Sequence, residues 1–278
     1  MPIARFVITL VCFAPLCAQS QGFTVVHTLN GGSDGNQTIN GLTMDRQGNL
    51  YGTAFEGGLN NCGDNYGCGT VFKLTRHGTQ WTFSLLYRFT GWSDGWAPAA
   101  PLTIAPDGSI WGTTAFGGTN DCSGIGCGTV FRLQPPPTFC AAVSCPWTKT
   151  TLHQFTFGLD GAYPMSALIF DQAGNVYGTS TNSDLQRHRG SVWELSPSGS
   201  GWTFNVIYEF SDADGAGWPL GGVVFDGNGN LWGTGGFGGV QNCGNPQLPD
   251  DCGTIFELIP SASGWTEHTA FGFSQDVG

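Results

Sequence analysis

The chain has 278 residues, 45 of them glycine, and only 10% are Asp, Glu, Lys or Arg, against about 25% in ordinary soluble domains. So little charge leaves few side chains for salt-bridged helices, and no segment carries the sustained helical periodicity and caps of one. A formal net charge of -11 repels phosphate backbones and anionic lipids, which argues against nucleic-acid and membrane-surface partners.

The chain opens MPIARFVITLVCFAPLCAQS, with one basic residue (Arg5), an apolar run from Phe6 to Leu16 and the small residue Ala18. This is the anatomy of a secretory signal peptide over residues 1–18; the run is too short to span a membrane, and no later run repeats it. Cys17 raises the alternative of lipid attachment, for which Ala14-Pro15-Leu16 is a poor lead-in. Export places the remaining cysteines in an oxidising compartment. Of ten, Cys12 and Cys17 fall in the leader, leaving eight.

Beyond the leader the chain repeats itself. NLYGT at Asn49, SIWGT at Ser109, NVYGT at Asn175 and NLWGT at Asn230 recur at spacings of 60, 66 and 55 residues. Before each lies a short apolar run ending in a turn: LTMDRQGN, LTIAPDGS, LIFDQAGN and VVFDGNGN. Asp45, Asp171 and Asp226 are placed to accept backbone N–H bonds there, and the following glycine allows positive φ. After each comes GTVFKL, GTVFRL, GSVWEL or GTIFEL, alternating at the two-residue period of a strand. A polar turn then leads to WTFSLLYRF (Trp81 to Phe89) and its counterparts WTKTTLHQF, WTFNVIYEF and WTEHTAFGF.

Four sequential antiparallel strands in about 60 residues, without a helix, predict an all-β, β-propeller-like array of four four-stranded blades. A stacked β-solenoid is the competing architecture, disfavoured because its repeats are usually shorter. Residues 19–278 read as one repeat domain with units over 23–83, 84–149, 150–204 and 205–278. Closure stays open: FTVVHTL (Phe23 to Leu29) and Trp265 to Phe273 both match a fourth strand, where a ring needs one. A spare strand, an opened ring and a piece of a longer array all fit that duplication.

These motifs resemble the GloVer tandem-repeat proteins, secreted bacterial chains built from FxGxDGxxP, LxxDxxGNLYGTT, GG, CGTVFKL and WxxxxLYxF. The resemblance covers nearly all of the chain after the leader. It implies a β-propeller-like fold and a bacterial periplasmic or cell-surface location, without an established biochemical activity. The family often ends in a surface anchor, and this chain departs from it in having four units and no anchor-like tail.

Cysteines fall as Cys62/Cys68, Cys122/Cys127 and Cys243/Cys252 at one place in units one, two and four. Unit three has TNSDLQRHRGSVWEL there and lacks both together. Loss as a pair is what a local disulfide predicts. A zinc site needs four converging thiolates or imidazoles, and these spacings are not the CxxC of redox motifs. Cys140/Cys145, in the Pro-rich insertion of unit two, reads as a fourth staple. No metal or other cofactor is expected.

GGSDG at Gly31 and GWSDG at Gly91 match a serine-nucleophile pattern, but units three and four carry no serine at that place and no helix follows. They read as tight Asp-Gly turns. His27 and His153 align with Tyr87 and Tyr208 as one aromatic packing position, and no HxH or HExxH spacing occurs. Calcium at Asp212 and Asp214 would have two carboxylates where six oxygens are needed. Carboxylate-pair catalysis depends on distances that spacing does not reveal.

Connections between antiparallel strands alternate ends. The loop before strand one, holding Asp34, Asp94, Asp160 and Asp214, therefore shares a face with the cysteine loop between strands two and three. Trp92, Trp96, Tyr163 and Trp218 join the carboxylates there, a combination suited to sugar rings, although aromatic residues of propellers also pack between blades. The expectation is a secreted, non-catalytic repeat protein presenting this face to a polysaccharide or a surface protein. Two alternatives stay open: a carbohydrate-active hydrolase or lyase using the same carboxylates, and a structural fragment of a surface array.

Overall fold

Alternating apolar positions bounded by Gly, Asp and Asn build short antiparallel strands, and a computed structural model places them for residues 23–59, 62, 66–119, 121–137, 146–181, 188–211, 214–239 and 252–274. The leader, Cys140, Cys145, Asp212 and Cys243 lie outside the described residues. Blade one comprises β1 (Thr43–Met44), β2 (Leu50–Ala54), β3 (Thr70–His77) and β4 (Gln80–Arg88). Blade two comprises β5 (Thr103–Ile104), β6 (Ile110–Thr114), β7 (Thr129–Gln134) and β8 (Thr148–Gln154). In blade three the strands are β9 (Ile169–Phe170), β10 (Val176–Ser180), β11 (His188–Ser198) and β12 (Gly201–Ser211).

A short pair, β13 (Ala216–Gly217) and β16 (Phe237–Gly238), brackets the first half of blade four. That blade is built from β14 (Val224–Phe225), β15 (Leu231–Gly235), β17 (Thr254–Ser261) and β18 (Gly264–Gly272). Each blade is a meander in chain order, the pattern of a propeller blade. Among the described residues no helix is long and apolar enough to cross a membrane.

Three local rules repeat. Asp45 Oδ1 accepts the N–H groups of Gln47 and Asn49 while Oδ2 accepts from the Asn49 side chain and the Tyr51 hydroxyl, which closes the turn between β1 and β2. Asp171 and Asp226 do the same work in blades three and four. The glycine of each YGT or WGT string lies under the aromatic ring of the third strand: a Cβ on Gly112 would stand 2.7 Å from Phe131 and 3.0 Å from Leu102.

The third rule is a bulge between strands three and four. Val71 pairs Tyr87 but Phe72 pairs Leu85, so Leu86 is the extra residue; Leu152, Ile207 and Ala270 repeat it. A bulge re-aims the residues beyond it. Here it directs Tyr87, His153 and Tyr208 at the loop of the following blade.

The core lies between blades rather than within them. One apolar cluster joins Tyr51 and Val71 to Leu102, Phe131 and Leu133; a second joins Trp111 and Val130 to Leu168, Trp193 and Leu195. A third joins Tyr177 and Val192 to Val223, Phe256 and Leu258. Among the described residues no such cluster links blade four to blade one, so the array is open. Phe23 to Leu29, which matches a fourth strand, forms no strand here.

Candidate functional site

The two loop sets expected on one face do meet there. Asn36 N–H bonds Glu56 O at 2.9 Å and Trp96 N–H bonds Phe116 O at 3.0 Å, zipping the Asp-Gly loop to the chain leaving the second strand. In blade four the same contact is regular enough to form β13 with β16. Behind it, Cys62–Cys68 and Cys122–Cys127 form disulfides that staple the loops of blades one and two. Cys252 is also disulfide-bonded.

Each loop aspartate is a latch. Asp94 accepts from the Tyr87 hydroxyl at 2.8 Å, from Thr90 N–H at 2.7 Å and from Lys149 Nζ at 2.9 Å. In the next blade, Asp160 meets His153 Nε2 at 3.0 Å and accepts from Thr156 N–H and Oγ1. Asp214 accepts from the Tyr208 hydroxyl at 2.7 Å and from Ser211 N–H and Oγ. In the first loop, Asp34 accepts from Asn30 N–H at 3.2 Å. Burial pushes the Asp160 carboxyl up, but the hydrogen bonds from His153 and Thr156 outweigh it and hold the group below its ordinary value. The carboxylates of Asp94, Asp160 and Asp214 fasten their loops to the fourth strand of the preceding blade, while Asp34 closes its own loop, and the sequence expectation of ligand-facing acceptors did not include that task. The visible signal is an aromatic or His seven, seven and six residues before Asp94, Asp160 and Asp214.

The aromatic side chains form the open part of the face. Trp92 is 63% exposed, on a 3-10 turn spanning Trp92–Asp94. With Trp96, Cys62, Gly124 and Ile125 it lines a small hollow between the loops of blades one and two. Trp96 packs on Phe116 with centroids 4.6 Å apart and donates its Nε1–H to Ile125 O. Phe116 meets Tyr163 of blade three edge-on at 5.7 Å. Farther round, Trp218 stacks on Phe237 at 4.6 Å, and the Arg189 guanidinium lies 5.2 Å from that ring. The structure thus links Trp96 and Tyr163 through Phe116, sets Trp92 beside Trp96 in the hollow, and puts Trp218 in its own stack on blade four.

Two charged residues that spacing did not single out stand where Phe83 and Phe204 stand in the other fourth strands. Lys149 Nζ is buried among the rings of Tyr87, Phe89 and Phe131 and bonded to Asp94. Glu267 accepts from Thr269 Oγ1 at 2.8 Å; burial raises its carboxyl, Thr269 opposes this, and the Asp214 charge adds to it. Among the described residues no group of three or more His, Cys, Asp or Glu is arranged to hold a metal. On the opposite face a hollow of 760 Å3 between blades three and four is lined by Phe170, Tyr177, Phe225 and Trp265, with Asp171 and Asp226 engaged in their own turns.

The Gloeobacter/Verrucomicrobia repeat pattern matches residues 15–145 and, overlapping, 63–278. No curated protein matches the chain in sequence. Solved structures with a similar backbone include a putative gluconolactonase, 16% identical with a TM-score of 0.42 over 84% of this chain and 75% of that one. Another is a xylan beta-1,4-xylosidase from Bacillus halodurans, 13% identical with a TM-score of 0.46 over 91% of this chain and 48% of that one. An alpha-L-arabinofuranosidase from Clostridium thermocellum is 10% identical, with a TM-score of 0.38 over 84% and 72%.

Proposed function

The chain belongs to the Gloeobacter/Verrucomicrobia repeat family, and we propose that it is a secreted, non-catalytic repeat protein whose loop face binds an extracellular polysaccharide. The observation that carries this reading is the aromatic surface of Trp92, Trp96, Phe116, Tyr163 and Trp218 on loops fixed by latches and disulfides. Flat apolar rings on a fixed backbone suit the C–H faces of sugars and lose little entropy on binding. Asp94, Asp160 and Asp214 hold the loops that carry Trp92 and Trp96, Tyr163 and Trp218, since their oxygens are engaged by the protein's own donors. A surface protein is the other ligand class for this face. The disulfides and the leader-like first residues support an oxidising, extracellular setting.

One observation favours a second reading, a carbohydrate-active enzyme: Glu267, its carboxyl raised beside Asp214, has the character of a general acid. The deciding experiment incubates the oxidised chain with insoluble and soluble polysaccharides and records both retention and newly released reducing or unsaturated ends. Retention without release supports binding. Release that disappears in Glu267→Gln replaces it with the enzyme reading, and neither signal across the panel removes the glycan from the account.

A further inference from the structure

Each internal blade interface uses one packing rule. The forward face of a blade contributes the aromatic residue of its second strand and the valine of its third: Tyr51 with Val71, Trp111 with Val130, Tyr177 with Val192, all buried. The rear face of the next blade receives them on the Leu or Val before its first strand and on the aromatic and Leu of its third, as Leu102, Phe131 and Leu133 receive the first pair.

Among the described residues both halves of the rule recur without a partner blade, one on blade four and one on blade one. Blade four presents Trp232 and Ile255, half-buried, beside Val224 at 60% and Phe271 at 48% exposure. Blade one presents Leu42 at 49% exposure where its counterparts Leu102, Leu168 and Val223 are buried. Leu42, Phe72 and Leu74 line a cavity of 440 Å3, in the position that the aromatic and β-branched side chains of a preceding blade fill elsewhere. Val26, His27 and Leu29, from the segment Phe23 to Leu29, form its outer wall. His27 there stacks on Phe83 at 4.3 Å as His153 of blade two stacks on Phe204 at 3.5 Å.

We infer that the rear face of blade one docks the forward face of blade four from a second copy, head to tail. Trp232 and Ile255 of the partner fill the cavity against Leu42, Phe72 and Leu74. The partner's β18 takes the place of Phe23 to Leu29, so that Phe271, which aligns with His27, stacks on Phe83. The occupant is a second copy because the two unmated surfaces are complementary halves of an interface that this chain already makes three times. The contact is heterologous, so it closes into a ring or extends according to the rotation between copies.

Sedimentation velocity over a concentration series tests this on the full oxidised chain, on Val224→Glu and on Leu42→Asp. Both substituted residues are exposed, and an unchanged circular-dichroism melt checks the fold. The expected result is self-association of the unaltered chain, monomers for either variant alone, and a heterodimer when the two variants are mixed, because each keeps one working end. His27→Gly, which loosens the competing segment, shifts assembly to lower concentration. Monomers at every concentration for both the unaltered chain and His27→Gly overturn the inference. Association that survives Leu42→Asp, or a mixture that stays monomeric, contradicts the head-to-tail order.

Discussion

Replacing Asp94 by alanine probes how the loop face is held. The carboxylate is the ionic partner of Lys149, whose side chain is only 3% exposed, and it also accepts from Tyr87 and Thr90. Its removal leaves an ammonium buried among three aromatic rings with Asp94 O and Thr151 Oγ1 as remaining acceptors. Removing one partner of a buried pair costs about 3–5 kcal/mol. At about 2–4 °C per kcal/mol for a chain of this size class, the melting midpoint falls by roughly 6–20 °C.

Lys149→Met behaves differently. It fills the same aromatic cage without a charge and leaves Asp94, itself 18% exposed, its bonds from Tyr87 and Thr90, so it costs less than Asp94→Ala. The pH dependence carries a matching sign. Burial holds Lys149 below its ordinary 10.5, with Asp94 opposing the shift. A lysine lowered on folding binds more protons unfolded, so stability rises with pH between the folded and unfolded values. Without Asp94 the folded value drops further and the rise begins at lower pH. Thermal melts by circular dichroism across alkaline pH read both effects. Equal losses for Lys149→Met and Asp94→Ala, or a pH profile unmoved by Asp94→Ala, would refute the reasoning.

Gly112→Ala places a methyl group against Phe131 and Leu102 and lowers stability by about 1–3 kcal/mol through overpacking, read in the same melts. Replacing Cys122 and Cys127 together by alanine opens a short loop and costs about 2 kcal/mol on the chain-entropy estimate, measured by urea unfolding. Glu267→Gln removes a carboxyl that burial holds above its ordinary 4.5. Such a group favours the fold while protonated and loses that contribution as pH rises through its folded value. The variant should therefore be the more stable chain at neutral pH and show a flatter stability profile above pH 4.5, which melts between pH 4 and pH 8 would reveal.

The blades were legible in the sequence because each of their strands carries its own local signal: alternation in GTVFKL, a turn with Asp and Gly before NLYGT, a polar turn before WTF. Paired loss in unit three likewise pointed to local staples, two of which are formed between the expected partners. The bulge left a trace too, as the doublets Leu85-Leu86 and Val206-Ile207, but a doublet does not say which residue is extra.

What was hidden is what adjacent blades do to each other. Asp94 and Asp160 stood out as acceptors, yet their partners Lys149 and His153 come from fourth strands positioned by interblade packing, which no spacing along the chain encodes. Glu267 beside Asp214 was hidden for the same reason. Phe23 to Leu29 shows the opposite effect: a good strand pattern makes no strand there.

The most direct test of the account compares retention of the original chain on a bound polysaccharide with that of Trp92→Ala and Trp218→Ala, each checked by its melt. Trp92 and Trp218 present their rings on the loop face, so their loss should release the glycan while leaving the melting midpoint within a few degrees. Retention unchanged in both variants would place binding elsewhere and contradict the loop face as the site.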